Sequence, residues 1–427
     1  MRLWRVLVLA AMVTAASTLV SLSPVDEALA GVDIGNWGSW PEWGQNFVDE
    51  HEDPSEHTVE ADYDYEPDDV LAMNLTRESL AIAHKLGFHV TERKFLKSLR
   101  LELAKLRPPF GMTSRKAMRV LREADPAGYY GFNPVYRLAG ADATACEGTR
   151  CYGQTLIGWK AGGCPAKARI AMVDSAVDAA NPALAGRHLQ YRRVSKSAPG
   201  KGENEHGTAV AAMLVGAPDS AFPGLLPDAE LLAADVFSLD RGGQPFTDAA
   251  RLATGLDWVA GFKPAVINIS IAGPDGVVLR TAIHRLYAAG IPVVAAAGNL
   301  GPKAPPQYPA AYPEVTAVTA VDRDLRVYRR ANQGSYVALS APGVGIWTAA
   351  AGGAGVFREG TSFAAPFAAA ATALLKARQP SLKPEALRET LEHEARDLGP
   401  PGNDPIFGWG LLQTLGCGGE HQQARNN

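Results

Sequence analysis

The sequence predicts an α/β fold, a doubly wound parallel sheet with helices on both faces, preceded by a small α+β domain. After residue 150, short apolar runs rich in Val and Ile recur: ARIAMVD, AELLAADVF, AVINIS and IPVVAAAGN. Segments with helical spacing lie between these runs: HGTAVAAMLVGA, FTDAARLATGLDWVAG and DGVVLRTAIHRLYAAG. Continuous apolar strands that alternate with helices are typical of a parallel sheet buried on both sides.

The composition indicates a folded protein with more than one organised region. The chain has 427 residues, of which 47% are hydrophobic, and this is enough for a sizeable core. Its formal net charge is −4, without the basic stripe of a nucleic-acid binder, so we expect no nucleic-acid partner. Four cysteines exclude a disulfide-dense miniprotein and leave room for two bridges.

Residues 1–30 have the pattern of a secretory signal peptide. The stretch MRLWR carries two arginines, an uncharged apolar run follows, and Ala28-Leu29-Ala30 fits an A-x-A cleavage site. The alternative is an N-terminal membrane anchor, for which the apolar run is short. We expect export to the periplasm or the extracellular space, removal of this segment, and a mature chain without a membrane span.

Residues 31–69 are first aromatic and then acidic. Three tryptophans lie among glycines, and the stretch DEHEDPSEHTVEADYDYEPDD contains neither Lys nor Arg. Such a stretch buries too little apolar surface to offset the entropy of ordering it, so the sequence predicts a mostly disordered spacer. A metal-binding acidic tract is the alternative.

Residues 70–138 predict the small α+β domain. VLAMNL and GYYGFNPVYRL have strand character, while RESLAIAHKLG and TSRKAMRVLREAD have helical spacing, the second after a Thr/Ser cap. The stretch FHVTERKFLKSLRLELAKL is ambiguous between strand and helix. The domain is rich in Lys and Arg, which indicates either a solvated charged face or a unit that packs on another part of the chain.

Four polar residues stand where an α/β fold presents chemistry, at strand ends and helix starts. Asp174 ends ARIAMVD and Asn299 ends IPVVAAAGN; His206 and Ser362 begin helices. A serine nucleophile needs a base, the imidazole needs a carboxylate, and the oxyanion needs donors. We expect Asp174, His206 and Ser362 to be catalytic. Asn299 and the Ser362 N–H would form the oxyanion hole. Taken singly, the Asp, Ser and Asn are better explained as caps or turn formers, and it is their combination with His206 that indicates catalysis.

These motifs and their Asp…His…Ser order resemble those of subtilisin-like serine proteases, the subtilases of peptidase family S8. HGTAVA and GTSFAAP resemble the His and Ser motifs of that family, and VDSAVD and AAAGN resemble its Asp and oxyanion motifs. The resemblance runs from about residue 165 to 415. It implies a catalytic domain at 150–415, followed by a polar tail at 416–427. The unit 70–138 resembles a subtilase propeptide, an intramolecular chaperone and inhibitor.

The resemblance implies an exported serine endopeptidase that is synthesised as a zymogen and cleaves polypeptides through an acyl-enzyme. NISIAGP resembles the strand that pairs with the substrate backbone in that family. The residues expected to line the two sides of the substrate cleft are small, so a peptide backbone can approach them closely. The expected substrate-binding residues are Ser270, Ile271, Gly273, Ala297 and Gly298. No cofactor is expected to be required and no metal ligand is assigned, while a structural calcium is not readable from the sequence. The alternative is a catalytically inactive subtilase-fold protein that binds peptides or inhibits another protease.

The sequence departs from the family pattern at two positions. Ala176 follows Asp174-Ser175 where family members usually have glycine, and its Cβ would shift the aspartate if the position needed a positive φ. Ala272 also stands where glycine is common, which affects the width of the substrate pocket.

The four cysteines allow three pairings. Cys146 and Cys151 are separated by EGTR, whose glycine can turn the chain. Cys164 precedes the first core strand, and Cys417 follows the last family-like segment, GWGLLQ. We expect the disulfides Cys146–Cys151 and Cys164–Cys417; four free thiols are the alternative, which export disfavours. We expect propeptide cleavage within Arg137–Ala145, before all four cysteines.

Overall fold

This computed structural model describes residues 65–138, 141–142, 152–160, 162–195, 200, 202–240, 242–415 and 417. The predicted signal peptide, most of the acidic segment, and Cys146 and Cys151 lie outside these residues. Among the residues it describes, no helix is both long and apolar enough to cross a membrane.

An antiparallel sheet with two helices forms the first unit, in the sheet order β2-β3-β1-β4. Its elements are β1 (Tyr65–Met73), α1 (Arg77–Lys85), β2 (His89–Leu96), β3 (Leu101–Arg107), α2 (Ser114–Ala124) and β4 (Tyr129–Leu138). The predicted cap of α2 is present, because the hydroxyl of Thr113 accepts from the N–H of Lys116 at 3.4 Å. The ambiguous stretch forms the hairpin of β2 and β3.

The first strand begins at Tyr65, inside the segment for which the sequence predicts disorder. Tyr65 lies opposite Pro134 of β4, and its ring lies 4.9 Å from that of Phe132. Pairing and aromatic contact therefore extend the ordered unit toward the acidic segment.

The second unit carries the remaining elements. In chain order these are β5 (Ala141–Asp142), α3 (Tyr152–Leu156), β6 (Arg169–Asp174), β7 (Leu189–Arg193), α4 (Glu205–Val215), β8 (Glu230–Asp235), β9 (Ser238–Leu239), β10 (Pro245–Asp248), α5 (Ala249–Ala260), β11 (Val266–Ile269), β12 (Ile271–Ala272), α6 (Val277–Ala288), β13 (Val293–Ala296), β14 (Val315–Val321), β15 (Val337–Pro342), β16 (Ile346–Ala349), β17 (Gly355–Glu359), α7 (Thr361–Arg378) and α8 (Pro384–His393).

A parallel sheet in the order β15-β14-β13-β11-β6-β8-β7 lies at the centre of this unit. Helices α4 and α7 pack on one face and helices α5 and α6 on the other, each with its own buried apolar cluster. This confirms the predicted doubly wound α/β fold. The carboxyl ends of the strands meet at one edge, where functional side chains of such folds gather.

The first unit packs on α5 and α6 through one face of its sheet. Along β1, Leu71 and Met73 join the buried cluster of α5 and α6, whereas Val70 and Ala72 face the helices of their own unit. This alternation follows from the two-residue period of a strand. The first unit therefore shares a core with the second.

A disulfide joins Cys164 to Cys417, whose Cα atoms are 5.7 Å apart and which are separated by 253 positions in sequence. This Cα separation lies within the usual range for disulfides. The bond ties the last described residue to the segment that precedes β6 of the central parallel sheet.

We expect Cys164→Ser to lower the free energy of unfolding by up to about 5 kcal/mol, because the bond closes a very long loop in the unfolded chain. Denaturant unfolding of the mature protein measures the loss. Cys417→Ser is the matched control and should cost the same amount, with no further loss in the double variant. Linkage of Cys164 to Cys146 or Cys151 in non-reducing peptide maps would contradict the pairing.

Candidate active site

Asp174 and His206 meet at the carboxyl edge of the parallel sheet. Asp174 ends β6 and His206 is the second residue of α4, and both are buried. The Nδ1 atom of His206 lies 2.8 Å from Oδ1 of Asp174, which also accepts from the N–H of Ser175 at 2.7 Å. A carboxylate at Nδ1 selects the tautomer with its proton there, which leaves the lone pair on Nε2. Within the described part of the chain, Nε2 has no hydrogen-bond partner.

Ser362 is the second residue of α7 and is fully buried. It makes two hydrogen bonds with Ser270, which follows β11. The Ser362 hydroxyl donates to the Ser270 carbonyl at 3.3 Å, and the Ser270 hydroxyl donates to the Ser362 carbonyl at 2.9 Å. The amide of Asn268 donates to the Ser270 hydroxyl at 3.0 Å. Backbone and side chain of the serine are thus both tied to the strand end.

Pro366 explains why the Ser362 carbonyl can accept from Ser270. In an α-helix this carbonyl would accept from the N–H four residues later, and proline has none. A buried carbonyl without a partner is costly, so the Ser270 hydroxyl compensates for the missing helical bond. Sequence analysis did not identify Asn268 or Pro366 as functional residues, although Pro366 is part of the GTSFAAP motif.

Asn299 is held by its side-chain oxygen. Oδ1 accepts from the backbone N–H of Thr361 at 3.1 Å and lies 3.0 Å from its hydroxyl. The Thr361 hydroxyl in turn accepts from the N–H of Gly298 at 3.2 Å. Because the carbonyl end of the amide binds Thr361, the Nδ2 end is directed away from it. The chain enters α7 through Gly360, whose φ of +132° favours glycine.

The predicted substrate-binding residues divide into two groups. Ile271 lies opposite Leu138 of β4 in an antiparallel pair. Gly273 lies against Tyr136, since a Cβ on Gly273 would come within 2.3 Å of the ring. The other three make contacts inside the domain: Ser270 and Gly298 as described above, and Ala297 through its carbonyl, which accepts from the Tyr336 hydroxyl at 3.1 Å.

The loop after Asp174 accommodates the departure at Ala176. Ala176 is buried and is not among the non-glycine residues with positive φ in the described part of the chain. Asp178 supports this loop, because its N–H donates to the Thr208 hydroxyl at 2.8 Å and its Oδ2 accepts from the N–H of Gly352 at 2.9 Å. No group of three or more His, Cys, Asp or Glu side chains suited to a metal ion occurs among the described residues.

Comparison with known proteins decides the family. The sequence profile of the subtilase family, Peptidase_S8, matches residues 166–410, which is more than half of the chain. The chain belongs to the subtilase family. The profile covers the elements that carry all four predicted catalytic and oxyanion residues.

Two curated relatives of this subtilase come from Bacillus subtilis (strain 168). The minor extracellular protease Epr is 36% identical over 259 residues, a match covering 60% of this chain and 39% of Epr. Subtilisin E is 32% identical over 251 residues, covering 58% of this chain and 64% of subtilisin E. The chain therefore matches less than two thirds of the length of either relative.

Solved structures share the fold of this subtilase. Fervidolysin from Fervidobacterium pennivorans superposes with a TM-score of 0.67 at 22% identity, over 82% of this chain and 60% of fervidolysin. The protease domain of PatA superposes with a TM-score of 0.52 at 28% identity, over 59% of this chain and 94% of that domain.

We expect Gly298→Ala to destabilise the protein by about 2 kcal/mol or more. Gly298 has a φ of +110°, and a Cβ there would lie 2.7 Å from Cγ of Gln307 and 2.8 Å from Oδ1 of Asn332. Gly301→Ala is the matched control, with a φ of +108° but no atom within 4 Å of its Cβ. Thermal or denaturant unfolding compares the two variants. Equal losses would mean that backbone strain, not crowding, fixes Gly298.

Proposed function

We propose that this subtilase is an exported serine endopeptidase, synthesised as a zymogen, with Asp174, His206 and Ser362 as its catalytic residues. The observation that carries the proposal is the 2.8 Å contact between Nδ1 of His206 and Oδ1 of Asp174 at the carboxyl edge of the parallel sheet. The hydrogen bond from the Ser362 hydroxyl to the Ser270 carbonyl holds the serine at the same edge. Homologous proteases of the same family support the reaction class. Polypeptides are the proposed substrates.

The reaction begins when the Ser362 hydroxyl turns from the Ser270 carbonyl to Nε2 of His206. His206 takes the proton as Oγ attacks the substrate carbonyl carbon, and Asp174 stabilises the imidazolium. The Nδ2 amide of Asn299 and the Ser362 N–H donate to the developing oxyanion, with the start of α7 adding its positive dipole end. The imidazolium then protonates the leaving amine. Water, activated by the same imidazole, releases the acyl group from Oγ.

The first unit is the proposed propeptide, and its last strand supports this assignment. β4 pairs antiparallel with β12 and also with β10, so it lies between two strands of the catalytic unit. Tyr136 on β4 is fully buried there against Gly273. A strand bound in this way occupies the path of a peptide substrate and would inhibit the enzyme by exclusion.

A carboxylate of the catalytic unit also holds the propeptide. Oδ1 of Asp257 on α5 accepts from the N–H groups of Ser98 and Leu99, at 2.6 and 3.1 Å, in the turn between β2 and β3. Charge-assisted bonds to backbone donors are among the stronger hydrogen bonds in proteins. The propeptide is therefore bound at its hairpin as well as in the cleft.

The registers of two described strands bracket the proposed cleavage site. Leu138 pairs with Ile271 of β12, and Ala141 pairs with Glu359 of β17. We therefore propose that autoprocessing cuts between Leu138 and Ala141, within the window that the sequence predicts.

Replacement of Ser362 by Ala should lower peptide turnover on the order of 10⁶-fold, because the covalent route is lost. His206→Ala should be about as damaging, and Asn299→Ala should cost roughly 10²–10³-fold. Casein hydrolysis measures all three, and a fluorophosphonate probe should label the wild type alone at Ser362. Undiminished hydrolysis by the Ser362→Ala protein would contradict the proposal, and an unlabelled, inactive wild type would favour the peptide-binding alternative.

Autoprocessing should leave the mature enzyme with an N-terminus at position 139, 140 or 141. Mass spectrometry of protein from a host without other proteases identifies this residue. The matched Ser362→Ala precursor should retain the propeptide, because it has no hydroxyl to attack the peptide bond. A Ser362→Ala protein cut at the same bond would show that another protease performs the processing, and a wild-type N-terminus elsewhere would overturn the assignment.

A further inference from the structure

Tyr136 of β4 is fully buried where the first unit meets the catalytic unit. A Cβ on Gly273 would come within 2.3 Å of its ring, and a Cβ on Gly276 would come within 3.2 Å of its hydroxyl. The tyrosine therefore fills space that exists because both positions lack a side chain. The pairing of β4 with β10 and β12 holds it there, with Thr247 directly opposite.

The hydroxyl of Tyr136 has no hydrogen-bond partner among the described residues. The polar groups beside it already bind one another. Oδ1 of Asp275 accepts from the Tyr312 hydroxyl at 2.7 Å, and its Oδ2 binds Arg280. The carbonyl of Gly276 accepts from the N–H of Arg280 at 2.9 Å. A hydroxyl has one proton to donate, so that of Tyr312 is committed to Asp275.

The Tyr136 hydroxyl keeps its proton at neutral pH. Burial raises the pKa of Tyr136, and the Asp275 carboxylate raises it further. A buried O–H group without an acceptor costs the full free energy of removing it from water. Water supplies hydrogen bonds to the same group as soon as β4 leaves the cleft. The cost is therefore present only while the strand is bound.

The ring and the hydroxyl of Tyr136 act on binding in opposite directions. The ring favours the bound strand because its apolar surface is removed from water, whereas the hydroxyl favours release. A propeptide that has been cut must leave before the cleft accepts another peptide. We propose that the unpaired Tyr136 hydroxyl weakens the binding of the cut propeptide and thereby speeds its release. This inference rests on the proposed zymogen function.

Tyr130, on the same strand, provides the matched comparison. It is also buried, but its hydroxyl donates to Oδ2 of Asp125 at 2.8 Å inside the first unit. Replacement of Tyr130 by Phe loses this hydrogen bond, whereas replacement of Tyr136 by Phe loses none. Both residues precede the proposed cleavage window, so the mature enzyme has the wild-type sequence in either variant. Any difference between the variants therefore comes from the propeptide.

Release is measured on the full chain after autoprocessing. Mass spectrometry shows when the propeptide has been cut, the sample is diluted, and the fluorophosphonate probe then labels Ser362 where the cleft is open. We expect labelling of Tyr136→Phe to be about tenfold slower than that of the wild type, as expected for removal of an unpaired buried hydroxyl. Tyr130→Phe should be labelled as fast as the wild type or faster. Labelling of Tyr136→Phe at the wild-type rate or faster, or equal slowing by Tyr130→Phe, would overturn the proposal.

A second measurement requires no catalysis. The Ser362→Ala precursor keeps its propeptide attached, so denaturant unfolding reports how well β4 fits the cleft. Addition of Tyr136→Phe should raise the unfolding midpoint, and addition of Tyr130→Phe should lower it. A precursor that Tyr136→Phe destabilises or prevents from folding would show that the hydroxyl contributes to binding, which is the opposite of the proposal.

The two measurements separate this inference from the proposed function. A wild type that neither reacts with the probe nor hydrolyses peptides would overturn the endopeptidase function, while the unfolding midpoints would still decide whether the Tyr136 hydroxyl weakens the fit of β4. A wild type that is labelled equally fast before and after the cut would overturn the inhibitory role of the first unit.

Discussion

The reciprocal hydrogen bonds between Ser270 and Ser362 are the constraint on which the geometry of the site depends. They exist because Pro366 removes the helical partner of the Ser362 carbonyl, and the strand end after β11 provides a replacement. Ser362 is thereby fixed to the sheet as well as to its helix. Since β11 also lies next to β6, which ends at Asp174, Ser362 and Asp174 are positioned by neighbouring strands.

The helices on the two faces of the parallel sheet have different roles. Helices α4 and α7, on one face, present His206 and Ser362 at their first turns. Helices α5 and α6, on the other face, form the surface that shares its core with the first unit. As the proposed propeptide, the first unit can bind to this apolar surface without contacting α4 and α7 through it. Its strand β4 pairs with β10 and β12 of the second unit.

The sequence predicts the fold well wherever local signals and burial agree. The apolar strands and the cap at Thr113 are examples, since each depends on residues close in sequence. The hairpin of β2 and β3 is ambiguous in sequence because β2 is exposed or half-buried along most of its length and carries two adjacent cations, Arg93 and Lys94. Neither the strand period nor the helix period therefore dominates its pattern. The role of Ser270 was beyond sequence reasoning, which placed it among the residues lining the cleft. Its hydroxyl acts on a carbonyl 92 positions away, and that carbonyl is available only because of Pro366.

One strand connects the proposed inhibition with the proposed processing. β4 pairs with β12 and β5 pairs with β17, so the segment between β4 and β5 joins two strands that are both paired with the catalytic unit. Tyr136 of β4 is fully buried and packs against Gly273. A propeptide cut by its own enzyme would be that enzyme's first substrate. Under this proposal the residues before the cleavage site indicate which side chains the cleft accepts, and Tyr136 is the largest fully buried one among them.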